Sequence, residues 1–206
     1  MKIDRRLTTA LVVIFLVLIA GCGRGQYTPI DKQSLRGSGR LYFIPLGDFP
    51  LSGVDDLAAV YKEKYGLFIE TLPNLSLNPS VVDTDRQQII AEAVVALMKG
   101  AYPDLANNRE AILIGLTTRD MYIQQYNWQF TFSWRQEGKY AVVSNARMDL
   151  DLPLGSEEKE RIRLRKMVTK NIGIMYFRLP QSTDPRSVLY KNVGGLSELD
   201  YMGEEF

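Results

Sequence analysis

The chain has no histidine in its 206 residues. Neutral imidazole is the commonest protein metal ligand and the usual acid or base near neutral pH. Its absence excludes three-histidine zinc sites, histidine-paired nucleophiles and histidine proton relays. Cysteine is almost absent too, with Cys22 alone. That excludes an internal disulfide framework, and any structural zinc site built from four cysteines or from cysteine and histidine together. Neither charge sign is in excess: 25 Lys+Arg stand against 24 Asp+Glu. Without a large basic field, nucleic acid is not an expected partner. No glycine-rich phosphate loop is present either. Gly37-Ser38-Gly39 lies ahead of the domain, and Gly194-Gly195 lacks the lysine and helix such a loop requires.

Long apolar runs are scarce, and the one that exists opens the chain. Lys2, Arg5 and Arg6 precede an apolar stretch over residues 7–20, the charge-then-apolar order of a secretory signal. At about 14 residues this stretch is shorter than the roughly 20 a spanning helix needs. It ends in Leu18-Ile19-Ala20-Gly21-Cys22, which resembles the lipobox of bacterial lipoproteins. The resemblance implies removal of residues 1–21 as a signal peptide and lipidation of Cys22 with palmitate-like chains. More than one such chain makes membrane attachment durable. A bacterial cell envelope follows as the expected location, and the outer membrane facing the periplasm in a Gram-negative cell, because Gly23 rather than aspartate comes next. Residues 22–39, rich in Gly, Ser, Gln and charge, read as a flexible tether. Residues 40–206 amount to one domain.

Within that domain strands and helices alternate. Residues 41–46 read as a buried strand, and residues 54–65 as a helix stopped by Gly66. Residues 67–72 form a second strand. Thr84 and Gln87 have the spacing of a capping box ahead of a helical apolar stripe from Ile89 to Met98. Residues 111–116 are a continuous apolar run, suited to a central strand. Residues 128–144 change to period-two character, with Trp128, Phe130, Phe132 and Trp134 alternating, and return through a loose turn at residues 136–139. Ser156 is a candidate N-cap for a long helix carrying Leu164, Val168, Ile172 and Met175. Past Pro180 periodicity fades into an irregular tail.

Four separated segments resemble the archaemetzincins, a branch of the metzincin zinc peptidases. They are the opening strand with Pro45-Leu46-Gly47; Arg86-Gln87; the run from Ile114 through Asp120-Met121-Tyr122 and residues 128–132 to Met148; and the long helix after an acidic loop. Together they cover residues 40–202. The resemblance implies an α/β, two-layer metzincin-like domain with a twisted mixed sheet packed on helices and an irregular C-terminal tail. In this family a His-Glu-x-Gly-His-x-x-Gly-x-x-His run supplies three zinc ligands and the base that deprotonates water. Here the matching residues are 170–180. Lys170, Ile174 and Pro180 occupy the ligand positions, Asn171 the glutamate position and Phe177 the helix-ending glycine position; Gly173 alone matches. Ser187-Val188-Leu189 stands where the family has a Cys-Val-Met turn beneath the metal.

An ammonium repels Zn²⁺, isoleucine and proline offer no side-chain lone pair, and an amide cannot take a proton from water. No metal, no cofactor and no peptidase activity are therefore expected. Two further chemistries rest on weaker patterns. One is a hydrolase using a non-histidine centre, with Lys170 beside Ser144, Ser182, Ser187 or Asp200. The other is weak calcium binding at Asp120, Asp149, Asp151 or Asp184. The leading expectation is a membrane-tethered pseudopeptidase that binds a peptide or protein partner, or has a structural role in the envelope. Its binding edge would be formed by Tyr122, Tyr126, Trp128, Trp134, Tyr140 and Arg147, with Arg135 beside them. The same aromatics also suit a plain core, and Arg147 a pairing with Asp120.

Overall fold

The computed structural model describes residues 28–153 and 155–206. Five strands form the main sheet: β1 (Arg40–Leu46), β2 (Ile69–Thr71), β5 (Ala111–Thr117), β7 (Ser133–Gln136) and β8 (Tyr140–Ser144). Their spatial order is β2-β1-β5-β8-β7. All neighbours are parallel except β7, which pairs antiparallel to β8 and closes one edge. A smaller sheet joins β3 (Val82–Asp83), β4 (Gln88–Ile90) and β6 (Met121–Tyr122). The helices are α1 (Leu51–Tyr65), α2 (Ala91–Ala101), α3 (Pro103–Asn107), α4 (Glu157–Met175) and α5 (Leu196–Tyr201). This is the mixed α/β fold, with a twisted sheet packed against helices, that the resemblance implied.

Strand alternation divides the core. Leu41 and Phe43 of β1, Ile112 and Ile114 of β5, and Ala141 and Val143 of β8 pack with α1 and α4. Tyr42, Ile44, Leu113, Tyr140 and Val142 point the other way, against α2. A strand covered on both faces has no position for a polar residue, so β5 is apolar almost throughout. The expected two layers are the sheet and the α1–α4 layer; α2 with the small sheet covers the remaining face.

Some elements depart from expectation for local reasons. No helix begins at Thr84. The Asp83 carboxylate accepts the backbone N–H groups of Asp85 and Arg86, and Gln87 takes a left-handed φ of 55°. The chain then re-enters the small sheet as β4, and α2 starts only at Ala91. Ser156 precedes α4 without a side-chain capping bond. The turn between β7 and β8 is tight, not loose: Glu137 and Gly138 both have left-handed φ, 57° and 66°. Of the alternating run 128–134 only its end is strand. The tail contains α5, and Leu199, Met202 and Phe206 are buried in the α4 layer. Residues 28–39 of the expected tether lie on the domain, where Lys32 pairs with Glu205 at 2.7 Å and Leu35 packs on the core.

Candidate functional site

Between the β7 edge and α4 lies an open cleft of about 890 Å³. One wall is the chain 127–135, the floor includes Met167 and Lys170 of α4, and residues 190–194 with Glu198 form the opposite wall. The register of β7 fixes what it offers. Ser144 N–H donates to Phe132 O at 2.9 Å, and residues 133–136 pair with 143–140. In an antiparallel pair backbone groups alternate inward and outward. Trp134 and Gln136 therefore turn theirs toward β8, while Ser133 and Arg135 present theirs at the free edge. The Thr131 hydroxyl occupies Ser133 O at 2.9 Å. Among the described residues, no hydrogen-bond partner meets the Ser133 N–H or either backbone group of Arg135.

The wall ahead of β7 is held from behind. Arg86 donates to the carbonyls of Trp128 and Gln129 at 3.0 and 2.8 Å, and Gln88 donates to the latter at 2.9 Å. Gln88 also reaches Asp120, which accepts a two-pronged bond from Arg147 at 2.9 and 2.6 Å. Arg86 and Asp120, two of the residues behind the family resemblance, thus support the cleft wall.

Asn171, which the sequence resemblance sets against a catalytic glutamate, is fully buried. Its amide nitrogen donates to Met167 O at 2.8 Å and Ser133 Oγ at 2.9 Å, and its oxygen accepts from Arg135 at 3.0 Å. Asn171 thereby ties β7 to α4. Lys170 is 3% exposed and donates to Tyr190 O. Burial, helped by the nearby Arg135 cation, pushes its ammonium down to about 8. Burial also lowers the pKa of Arg135.

The other two ligand positions do not join Lys170. Ile174 packs half-buried against the α1–α4 core and Pro180 is exposed, and neither lines the cleft. The three positions do not converge. Gly173 is a packing position: a Cβ there would lie 2.5 Å from Phe206 Cε1 and 2.8 Å from Leu189 Cδ2. Leu189, at the position of the family's turn methionine, still packs beneath the helix. Phe177 does without the glycine conformation because the left-handed turn falls on Arg178, φ 57°. A zinc ion does not fit these residues. Lys170 and Asn171 are committed to hydrogen bonds, Ile174 and Pro180 carry no donor, and no group of three His, Cys, Asp or Glu able to hold a metal exists among the described residues. The described residues offer no centre for zinc peptidase chemistry.

The other chemistries are not assembled. Asp200 pairs with Arg163 and Lys159, away from Lys170. Ser144 Oγ donates to Arg119 O, while Ser182 and Ser187 accept backbone N–H groups of their own turns. Asp120, Asp151 and Asp184 are each paired with an arginine.

The expected binding edge divides. Trp128 is 54% exposed and lines the cleft, Tyr126 stacks on it at 4.8 Å, and Trp134 meets Tyr126 edge-on at 6.0 Å. Tyr122 and Tyr140 require correction, because both are buried. Tyr122 donates to Asp83 at 2.7 Å under the Arg86 guanidinium, and Tyr140 packs against α2. Arg147 is the structural partner of Asp120. Sequence reasoning missed Ser133, Tyr190 and the 190–194 wall. Period-two alternation placed Ser133 and Arg135 on the face opposite Trp134, which was the available signal; the tail carried none.

The fold has counterparts among solved structures. Archaemetzincin from Archaeoglobus fulgidus, complexed with malonate, superposes with a TM-score of 0.63 at 19% identity, over 81% of this chain and 94% of that one. Archaemetzincin from Methanopyrus kandleri gives 0.62 at 25% identity, over 81% and 89%. A zinc-dependent peptidase from Methanocorpusculum labreanum gives 0.63 at 15%, over 80% and 95%. No family model and no curated protein matches the chain. All three of these structures come from archaea, which overturns the expected location in a bacterial envelope. Among the described residues no helix is long and apolar enough to cross a membrane; Cys22 and the signal lie outside them.

Proposed function

We propose that this chain is a pseudopeptidase that binds an extended peptide segment as an added strand along β7. The observation that supports it most is the free edge at Ser133 and Arg135, lying beside an open cleft in an archaemetzincin-like frame whose metal-binding residues are gone. Main-chain pairing supplies affinity in this mode, and neighbouring pockets supply selectivity. The aromatic lip of Tyr126 and Trp128 offers apolar area at the entrance. The Asn171 contacts to Ser133 and Arg135 hold the edge in place before a peptide arrives, which reduces the ordering cost of binding.

The test is retention of an N-acetylated random hexapeptide library on the immobilised full chain, against the same library N-methylated at every residue. Retention of the unmethylated library alone is expected, because methylation removes the donors that pair with the edge. Equal retention of both, or of neither, refutes the reading. Sedimentation as a dimer that releases on peptide addition would instead assign the edge to a second copy. Lipidation of Cys22 is a separate proposal resting on Leu18-Ile19-Ala20-Gly21-Cys22. Intact mass of the chain from its native cells should show residues 1–21 removed and acyl mass on Cys22, and an unmodified Cys22 would refute it.

A further inference from the structure

Resting on the peptide reading, we infer that the cleft recognises a free C-terminal carboxylate, received by Arg135 and Lys170. Both cations line the cleft, and neither forms an ion pair with a carboxylate among the described residues. The Lys170 ammonium spends one of its three donors on Tyr190 O. The Arg135 guanidinium spends one of its five on Asn171 Oδ1. Lys191 adds a third positive charge to the lining, and Glu198 is the one carboxylate facing them. All three arginines of α4 have the carboxylate partner that Arg135 of β7 and Lys170 lack: Arg161 pairs with Glu157, Arg163 with Asp151 and Asp200, and Arg165 with Glu158 and Glu204. Two sheltered like charges repel one another and are costly to keep charged without an anion. Burial first, and the Arg135 cation second, lower the pKa of Lys170.

The position of Arg135 selects the kind of anion. Its backbone faces the free edge, while its side chain turns under the strand to α4. A strand pairing with that backbone therefore runs directly past the guanidinium. Planar guanidinium donors match the two oxygens of a carboxylate, and the ammonium adds a point charge from the floor. Two cations in one sheltered cleft suit a charged chain end better than a neutral amide in mid-chain.

The same hexapeptide library, synthesised half as free acids and half as C-terminal amides, tests this on the immobilised full chain with recovery read by mass spectrometry. Free acids should be enriched about tenfold over amides, the ratio that one modest charge-assisted contact provides. Lys170→Met should bring the ratio near unity while amide peptides are still retained. Arg135→Gln also loosens the Asn171 contact that holds the edge, and should lower the acid preference together with overall retention. Circular dichroism checks that the variants fold, and the Lys170→Met result decides. Equal recovery of acids and amides on the unaltered chain overturns the carboxylate assignment but leaves the peptide reading intact. So does an acid preference that survives Lys170→Met. Enrichment of Asp- or Glu-rich amides would move the anion to a peptide side chain and overturn the terminal assignment. Retention of neither form removes the peptide reading, and this inference with it.

Discussion

Replacing Asn171 by alanine probes the contact that ties the edge strand β7 to α4. The side chain is fully buried and makes three hydrogen bonds, to Met167 O, Ser133 Oγ and the Arg135 guanidinium. A neutral hydrogen bond contributes about 1 kcal/mol net, and leaving a buried donor without its acceptor costs about 1–3 kcal/mol more. Ser133 can rotate its hydroxyl, and Met167 O keeps its helical N–H, so the penalty concentrates at Arg135. The expected loss is about 3 kcal/mol. For a chain of this size each kcal/mol moves the midpoint by about 2–4 °C, so Tm should fall by about 6–12 °C. Urea unfolding should give a lower midpoint at unchanged slope. Hydrogen exchange should quicken at Trp134 and Gln136, whose N–H groups pair with β8, more than in β1 or β5. A loss below about 1 kcal/mol, or exchange rising uniformly through the sheet, would show that Asn171 does not hold the edge strand and refute the reasoning.

Other outcomes follow from the charged groups. Arg163 is fully enclosed and bonded to Asp151, Asp200 and Met148 O. Arg163→Met should cost about 3 kcal/mol by urea unfolding at neutral pH, toward the lower end for a broken buried pair because both carboxylates keep access to water. The Arg163 cation holds Asp200 down at about 2. That depressed value stabilises the fold above the ordinary carboxylate range, and the contribution disappears as pH falls through 2; the difference between variant and parent should shrink over the same interval. Lys170 behaves in the opposite sense. Its folded value of about 8 lies below the ordinary lysine value of 10.5, so the folded state is penalised below pH 8 and relieved as pH rises from 8 to 10.5. Arg135 from β7, with Lys191 and Glu198 across the cleft, are the charged groups facing it. Lys170→Met should therefore stabilise the chain at pH 7 by urea unfolding, with the gain shrinking toward pH 10; a destabilised variant at pH 7 would contradict the assigned burial. Tyr61→Phe removes a buried hydroxyl that contacts Thr169 Oγ1 at 3.0 Å and donates to Arg165 O at 3.1 Å, and should cost about 1 kcal/mol in the same assay.

Much of this architecture was legible from local pattern. Continuous apolar runs marked β1 and β5 because both of their faces are covered, and Gly66 marked the end of α1 through its left-handed φ of 64°. The stripe of Leu164, Val168, Ile172 and Met175 marked α4. Long-range structure was less visible. The capping-box spacing at Thr84 lost to the Asp83 turn, to the short hairpin pairing of Ile89 with Val82, and to pairing of Ile89 with Met121, a partner distant in sequence. Tyr122 and Tyr140 looked like interface aromatics, since nothing local reveals that the small sheet and α2 cover them. The degenerate ligand positions were readable one by one. Their new roles were not, because Asn171 is defined by partners on β7 and Lys170 by a carbonyl in the aperiodic tail. The tail itself folds back under α4 through Leu189, Leu199 and Phe206, contacts that carry no periodic signature.

Elemental analysis of the full chain, produced with ample zinc and freed of loosely held metal by gel filtration, tests the central claim most directly. A catalytic zinc site needs three protein ligands converging on the ion. With Lys170 and Asn171 committed to the protein's own carbonyls and side chains, and Ile174 and Pro180 away from the cleft, zinc should be recovered far below stoichiometry. One tightly held zinc per chain would contradict the account.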